Sequence, residues 1–240
     1  MEYALNPKIK DYLSSHTQHI INKDYNELIE DIAIELRGQL VEALELAHIN
    51  YMPYITYIAD DMYKNNNSLP KNFILPDNIE AILQNAFAYS NVKNIIISKN
   101  CLYIDNEAFY KCNVLKSVDI QSIVLDFIGR LCFSDCHNLE YINIPDNLSS
   151  IHTSAFYNCG NLKISKLPSG LHYLGNYSFY GCKSIKEIFI PKSISYFGDS
   201  AFGKCPNLTK VTYEGKEHNL EKLKPMFDNA KNIEFICLGK

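Results

Sequence analysis

The sequence predicts a β-solenoid, in which the chain winds into stacked coils that each contribute short parallel strands. Phenylalanine recurs every 22 to 24 residues, and a fixed period of this length is typical of a solenoid. Five of these phenylalanines are followed three residues later by cysteine, and an apolar residue lies five positions before each one. The landmarks predict about six coils of 23 residues. The phenylalanines are Phe87, Phe109, Phe133, Phe156, Phe179 and Phe202.

Residues 1–70 do not follow this repeat, and their pattern predicts a small α-helical N-terminal domain. Asn6 and Pro7 form a helix cap and first-turn pair, and apolar residues then recur at helical spacing on both sides of Asp24. A third helix is predicted over residues 53–63, before a polar joint at 64–72. We expect this domain to cap the first coil, because a solenoid needs a cover over its open end.

Charge distinguishes this domain from the rest of the chain. Residues 1–70 carry 11 acidic and 5 basic side chains, whereas residues 71–240 carry 16 and 18. The acidic run between Asp24 and Glu45 is interpreted as a solvated helix face or, alternatively, as an acidic docking surface for a basic partner. The dense basic field expected of a nucleic-acid-binding protein is absent, and no apolar run is long enough for a membrane span.

The cysteines bear on the expected compartment. The N-terminus shows no export signal, so we expect a cytoplasmic protein with free thiols. Five of the eight cysteines recur once per coil, which places them in one interior column. The remaining three, together with His16 and His19, lack the spacing of a metal site, and no metal or other cofactor is expected.

Within residues 71–213, the predicted solenoid, short segments alternate apolar and polar residues as strands do. Proline ends several of them, since it cannot donate to a strand ladder. The third coil has one extra residue, so Val124 or Leu125 could point inward. In the fourth segment we expect Ser165 inward and Ile164 outward, because a shifted register would bury Lys166. The strands are predicted at 95–98, 118–121, 142–145, 165–168, 188–191 and 211–213.

Residues 214–240 are predicted to be a C-terminal cap. Asn219–Phe227 has a helical pattern, and Asn232–Cys237 reads as a closing strand.

The outward side chains of stacked strands form columns, since neighbouring strands lie ~4.8 Å apart. Tyr141, Ile164 and Phe189 fall in three successive coils, flanked by Lys166 and Glu187. Aromatic anchors bordered by charge are typical of interface hot spots, so these five residues are the predicted partner-binding site. The alternative is that they are scattered exposed apolar residues without a partner.

The repeat unit resembles a known family. The pattern L-x-x-I-x-I-P-x-x-V-x-x-I-G-x-x-A-F-x-x-C occurs as IKEIFIPKSISYFGDSAFGKC at 185–205 and LEYINIPDNLSSIHTSAFYNC at 139–159. Both resemble the BspA-type leucine-rich repeat, which implies a leucine-rich-repeat solenoid that binds other proteins. Early coils depart from it where Ser98 and Gln121 replace proline, Ser90 replaces cysteine and Cys132 replaces alanine.

Three classes of function are compared on this basis. The first is a non-enzymatic, cytoplasmic protein–protein interaction module. The arrangement of a short helical region, these repeats and the ending TYEG…FICLGK is similar to that of intracellular leucine-rich-repeat proteins of phages and AT-rich bacteria. This resemblance implies an accessory protein that binds and inhibits or redirects a host antiviral-defence protein. The second is a bacterial surface adhesin, as the same repeats imply. An enzyme is the third, disfavoured because no nucleophile elbow, phosphate-binding loop or metalloprotease motif occurs.

Overall fold

The computed structural model describes residues 56–217, 220–228 and 232–239. These residues form a parallel β-solenoid, as predicted. The helices predicted before residue 53, the acidic run between Asp24 and Glu45, and His16 and His19 lie outside the described residues.

One aromatic ring from each coil stacks on the next to form the spine of the solenoid. The six predicted phenylalanines stack with ring centroids 4.9 to 5.3 Å apart and nearly parallel planes. Tyr63 extends the stack by one ring, 5.0 Å from Phe87, and Phe227 extends it at the other end, 5.7 Å from Phe202. The spine therefore has eight rings rather than six. Burial of each ring stabilises the fold by ~1.5–3 kcal/mol.

Two series of parallel strands run along the solenoid, one on each side of a corner in every coil. The long sheet has seven two-residue strands. The other series is divided into a four-stranded and a three-stranded sheet, and we call its outward surface the strand face. The long sheet consists of β1 (Tyr57–Ile58), β3 (Ala81–Ile82), β5 (Tyr103–Ile104), β7 (Phe127–Ile128), β9 (Ser150–Ile151), β10 (Tyr173–Leu174) and β12 (Tyr196–Phe197). The strand face consists of β2 (Asn72–Ile74), β4 (Asn94–Ile97), β6 (Ser117–Ile120) and β8 (Tyr141–Asn143), then β11 (Glu187–Ile190), β13 (Lys210–Lys216) and β14 (Glu234–Gly239).

Within the described residues the solenoid begins at Tyr57, earlier than the predicted start at residue 71. β1 pairs in parallel with β3, and Tyr63 joins the spine, so residues 57–70 form a coil. The third helix predicted over 53–63 is wrong for residues 57–63, which form a strand and turns. A two-residue strand is too short to show alternation, and this coil has tyrosine where the repeat has phenylalanine.

The C-terminal segment has the predicted helix and strand. The helix α1 (Leu220–Leu223) continues into a 3-10 helix at Lys224–Met226, and β14 pairs in parallel with β13. Because Phe227 also stacks on Phe202, this segment is an eighth coil as well as an end of the solenoid.

The sequence showed two irregularities, the extra residue near Val124 and the register at Ser165, and the structure treats them differently. In the third coil Leu125 takes the inward position and is fully buried, while Val124 is exposed and Ile123 is 79% exposed. The extra residue therefore bulges outward. In the fourth predicted strand segment the register is confirmed, since Lys166 bridges to Phe189. The inward placement of the Ser165 side chain is wrong: it is exposed, and residues around it form a single bridge instead of a strand.

Candidate binding surface

The outward columns of the strand face are aligned as the period predicts. Tyr141 pairs with Ser117, and Glu187 pairs with Lys210. Beyond the bridge from Lys166, Phe189 pairs with Thr212. The paired columns are Asn72–Asn94–Ser117–Tyr141 and Ile74–Ile96–Asp119 in the first sheet, and Glu187–Lys210–Glu234 and Phe189–Thr212–Ile236 in the second.

A groove of about 470 Å³ lies where the strand face is interrupted between β8 and β11. Its lining includes two predicted residues, Ile164 and Glu187. Tyr141 belongs to the preceding coil, to which the Lys163 amide is joined by donating to the Glu140 carbonyl at 3.1 Å. Two of the five residues predicted to bind a partner therefore line this groove. The lining is Lys163, Ile164, Ser165, Ser184, Lys186, Glu187 and Asn207.

The five predicted residues differ in what they offer a partner. Tyr141 is 54% exposed, whereas Ile164 and Phe189 are half-buried against their own coils. Lys166 lies 3.2 Å from the Asp146 carboxylate, an exposed ion pair of the kind that adds little stability. Glu187 is exposed and has no ion pair within the described residues. The site combines three apolar side chains with one charge of each sign.

A column of lysines borders the strand face at the position before each strand. Backbone hydrogen bonds define this column, for example the Lys116 amide donating to the Lys93 carbonyl at 2.7 Å. Glu140 interrupts it and pairs with Lys163 at 3.5 Å. Positive charge along this edge favours acidic groups in a partner. The column is Lys71, Lys93, Lys116, Glu140, Lys163, Lys186 and Thr209.

Sequence reasoning missed a set of aromatic rings on the outside of the long sheet, which we call the aromatic ladder. Tyr103 stacks on Phe127 at 5.4 Å, and Tyr173 stacks on Tyr196 at 4.7 Å. His152 lies between the two pairs, 5.4 Å from Phe127 and 5.7 Å from Tyr173. A signal was present, because the residue six before the spine phenylalanine is aromatic in four of the six predicted coils.

The repeat cysteines form a buried row of hydrogen-bond donors beside the spine. Cys159 donates its thiol to the Phe133 carbonyl at 3.0 Å, and the other repeat cysteines make the equivalent bond. Burial raises the pKa of the Cys159 and Cys182 thiols far above the ordinary value, and that of Cys205 to about 12. These thiols stay protonated at neutral pH and hold neighbouring coils together. All eight cysteines are free in the structure.

The described residues offer neither a metal site nor a helix that could span a membrane. These residues contain no grouping of three His, Cys, Asp or Glu side chains that could hold a metal ion. None of their helices has the length and apolar character needed to cross a membrane.

The coils, spine and thiol row define a repeat protein with parallel strands on two sides. The BspA type leucine rich repeat region matches residues 39–127 and 124–234, in six copies. The chain belongs to this family. No curated protein is similar enough to the chain to count as a match.

Several solved bacterial structures share this fold. The T. pallidum leucine rich repeat protein is 22% identical with a TM-score of 0.54, over 66% of this chain and 73% of that one. A leucine-rich repeat protein from Bacteroides ovatus ATCC 8483 is 24% identical, with a TM-score of 0.52 over 75% and 57%. A leucine rich cell surface protein from Faecalibacterium prausnitzii A2-165 is 23% identical, with a TM-score of 0.52 over 60% and 48%. The chain thus spans about half the length of the last of these.

Proposed function

We propose that the chain is a non-enzymatic protein-binding module that holds its partner on the strand face around the groove. The observation that supports this proposal is the position of Tyr141, Ile164 and Phe189 in successive coils, with Ile164 lining a groove of about 470 Å³. Repeat proteins of this architecture use an extended surface of this kind for binding. Nothing in the fold requires these outward side chains, because the core is filled by the inward ones.

Each side chain has a distinct part in the proposed contact. Tyr141 offers a large, stiff ring with a hydroxyl, which gives contact area at low entropic cost. Ile164 forms apolar lining in the groove, so a partner side chain inserted there would lose contact with water. Lys166 and Glu187 lie at the edge of this apolar surface and would fix orientation more than affinity.

Substitution of the two rings tests the proposal. Tyr141→Ala and Phe189→Ala are each expected to weaken partner binding by ~1 kcal/mol or more, with little change in melting temperature. The partner is first captured from the native host with the wild-type chain, and the dissociation constants of purified variants are then measured. The control is Tyr89→Ala, which removes an exposed tyrosine that lies in a turn outside the strands of this face. Normal binding by both variants would place the contact elsewhere, most simply on residues 1–55.

A cytoplasmic location fits this function. The free, largely buried thiols suit a reducing compartment. The narrower proposal is that the chain is a phage-encoded accessory protein that inhibits or redirects a host defence protein. It rests on the resemblance to intracellular leucine-rich-repeat proteins of phages and AT-rich bacteria. Expression in bacteria that carry such defences should protect an infecting phage. A Tyr141→Ala/Phe189→Ala double variant should lose that protection.

The second candidate is a surface protein, favoured by the structural likeness to the F. prausnitzii cell surface protein. Fractionation of the native host separates the two candidates. Recovery of the chain from the surface fraction would replace the cytoplasmic proposal, and the strand face would then be tested against extracellular partners.

A further inference from the structure

The aromatic ladder lies on an outward surface that the proposed binding site does not use. Its residues alternate with inward side chains that are fully buried, including Ile104 next to Tyr103 and Leu174 next to Tyr173. The core is therefore complete without the ladder. The rings of the aromatic ladder half-bury one another, and Tyr196 at its end is 45% exposed.

The ladder is continuous although one of its coils has no ring at the repeated position. Ser150 occupies that position in β9, between Phe127 and Tyr173. The His152 ring, two residues further along, fills the gap and contacts both neighbours. The result is five rings in consecutive coils, about 19 Å from first to last at the usual strand spacing.

Carboxylates accompany the ladder on the same surface. Asp105 and Asp126 both lie close enough to His152 to act on its pKa, although burial has the larger effect and lowers that pKa from 6.5. Asp126 is exposed and accepts a hydrogen bond from the Ser149 hydroxyl, and Asp105 accepts one from the Asn106 amide.

These two carboxylates have no cationic partner within the described residues. Arg130, which follows Asp126 in the same coil, is paired with Glu107 at 3.8 Å and with neither of these carboxylates. The His152 imidazole is neutral at pH 7 because its pKa is lowered, so it does not balance the charge. The surface is thus aromatic and negatively charged.

We propose that the aromatic ladder is a second docking surface, which binds an extended, arginine-bearing segment of a protein partner. A guanidinium is planar and packs against aromatic rings, and it also donates two hydrogen bonds to a carboxylate. The surface supplies both kinds of group within one coil spacing of each other. An extended segment of about six residues spans the 19 Å estimated for the ladder.

The lysine column along the strand face would reject the same arginine-bearing segment. The lysine column borders the strand face, so a basic segment is repelled there and attracted to the ladder. The two surfaces therefore select partner groups of opposite charge.

The test uses the full chain and a fluorescein-labelled hexapeptide of alternating valine and arginine, with binding followed by anisotropy at ~150 mM salt. A matched peptide with glutamine in place of arginine is the first control. The arginine peptide is expected to bind at least about tenfold more tightly than the glutamine peptide. Equal affinity for the two peptides would overturn the proposal.

Variants then locate the site. Tyr173→Ala and Asp126→Asn should each weaken binding of the arginine peptide by about fivefold or more, whereas Tyr173→Phe, which keeps the ring, should bind almost normally. Tyr89→Ala and Asp77→Asn remove one exposed tyrosine and one exposed carboxylate elsewhere and should have no effect. Equal losses in these controls would mean non-specific attraction, and the docking surface would be wrong. Circular dichroism melts confirm that each variant is folded.

The result is independent of the strand-face proposal. Tyr141→Ala tests the strand face with its own partner, and the arginine peptide tests the ladder. Either surface can fail while the other is confirmed.

Discussion

Each repeat cysteine links two coils through one hydrogen bond from its thiol to a phenylalanine carbonyl. Residue-level chemistry therefore explains why a small, weakly polar donor recurs at this position. Ser90 takes the place of cysteine in its coil, and its hydroxyl lies 3.6 Å from the Cys112 thiol, so a small polar group at this position also links two coils. The donor fills an interior site where a larger side chain would overpack the core.

Thiol reactivity follows from this burial. At neutral pH the native protein should react with a thiol reagent mainly at Cys237, which is partly exposed. Cys205 is also partly exposed, but burial raises its pKa to about 12, so it should react slowly, as should the six buried thiols. Denaturation without reductant should release all eight thiols for titration. A Cys237→Ser variant should lose the fast-reacting group. Fewer than eight thiols in the unfolded sample would mean that disulfides form.

The raised thiol pKa values also predict a loss of stability at alkaline pH. In the folded state the buried Cys159 and Cys182 thiols hold their protons, whereas in the unfolded state they ionise near the ordinary pKa of 9.0. Their contribution is therefore complete below pH 9 and is lost as pH rises above it. Melting temperature should fall between pH 8.5 and about 10, and less steeply in a Cys159→Ala variant. An identical slope in that variant would contradict the assignment.

Among the elements, the extra residue of the third coil shows how one side chain determines a register. Leu125 points inward and Val124 outward, although the two are neighbours of similar character. Leu125→Ala should lower the free energy of unfolding by ~2–5 kcal/mol, and Val124→Ala by less than ~0.5 kcal/mol. Urea denaturation measures both, and each variant serves as the other's control. The reverse order would mean that Val124 is the inward residue.

How much the sequence predicts differs from element to element. The four-residue strands such as Ser117–Ile120 alternate visibly, so their position and register were predictable. The strands of the long sheet have two residues, which is too short for a period to appear. The predicted columns through Tyr141 and Phe189 follow from the same alternation, but the groove does not, because it arises where a strand fails to form. His152 belongs to the ladder although it lies two residues after the repeated position, and this becomes visible only in the folded structure.

At the scale of the whole molecule, the number of coils depends on the ends. The six predicted coils share phenylalanine, and all but the first share cysteine. The outer two lack the cysteine: one has Tyr63 in place of phenylalanine, and in the other Phe227 lies 25 residues after Phe202. Tyr63 is recognised as a member of the spine only because its ring stacks on Phe87. End coils depart from the repeat since they meet different neighbours on their two sides.

The last prediction concerns the coil at residues 57–70 and is made with two truncated chains. One chain begins at Thr56 and keeps β1 and Tyr63, and the other begins at Ser68 and lacks both. Without Tyr63, one face of the buried Phe87 ring loses its stacked neighbour, and Ile82 loses the strand that pairs beside it. The chain from Ser68 should therefore melt at a lower temperature and aggregate more readily than the chain from Thr56. Loss of a buried aromatic side chain alone typically costs ~3–5 kcal/mol, so the difference should be large in a thermal melt. The full-length protein is the reference, and its difference from the chain that begins at Thr56 measures what residues 1–55 contribute. If the two truncated chains melt together and stay monomeric, the coil at residues 57–70 does not belong to the cooperative unit, and the solenoid starts at residue 71.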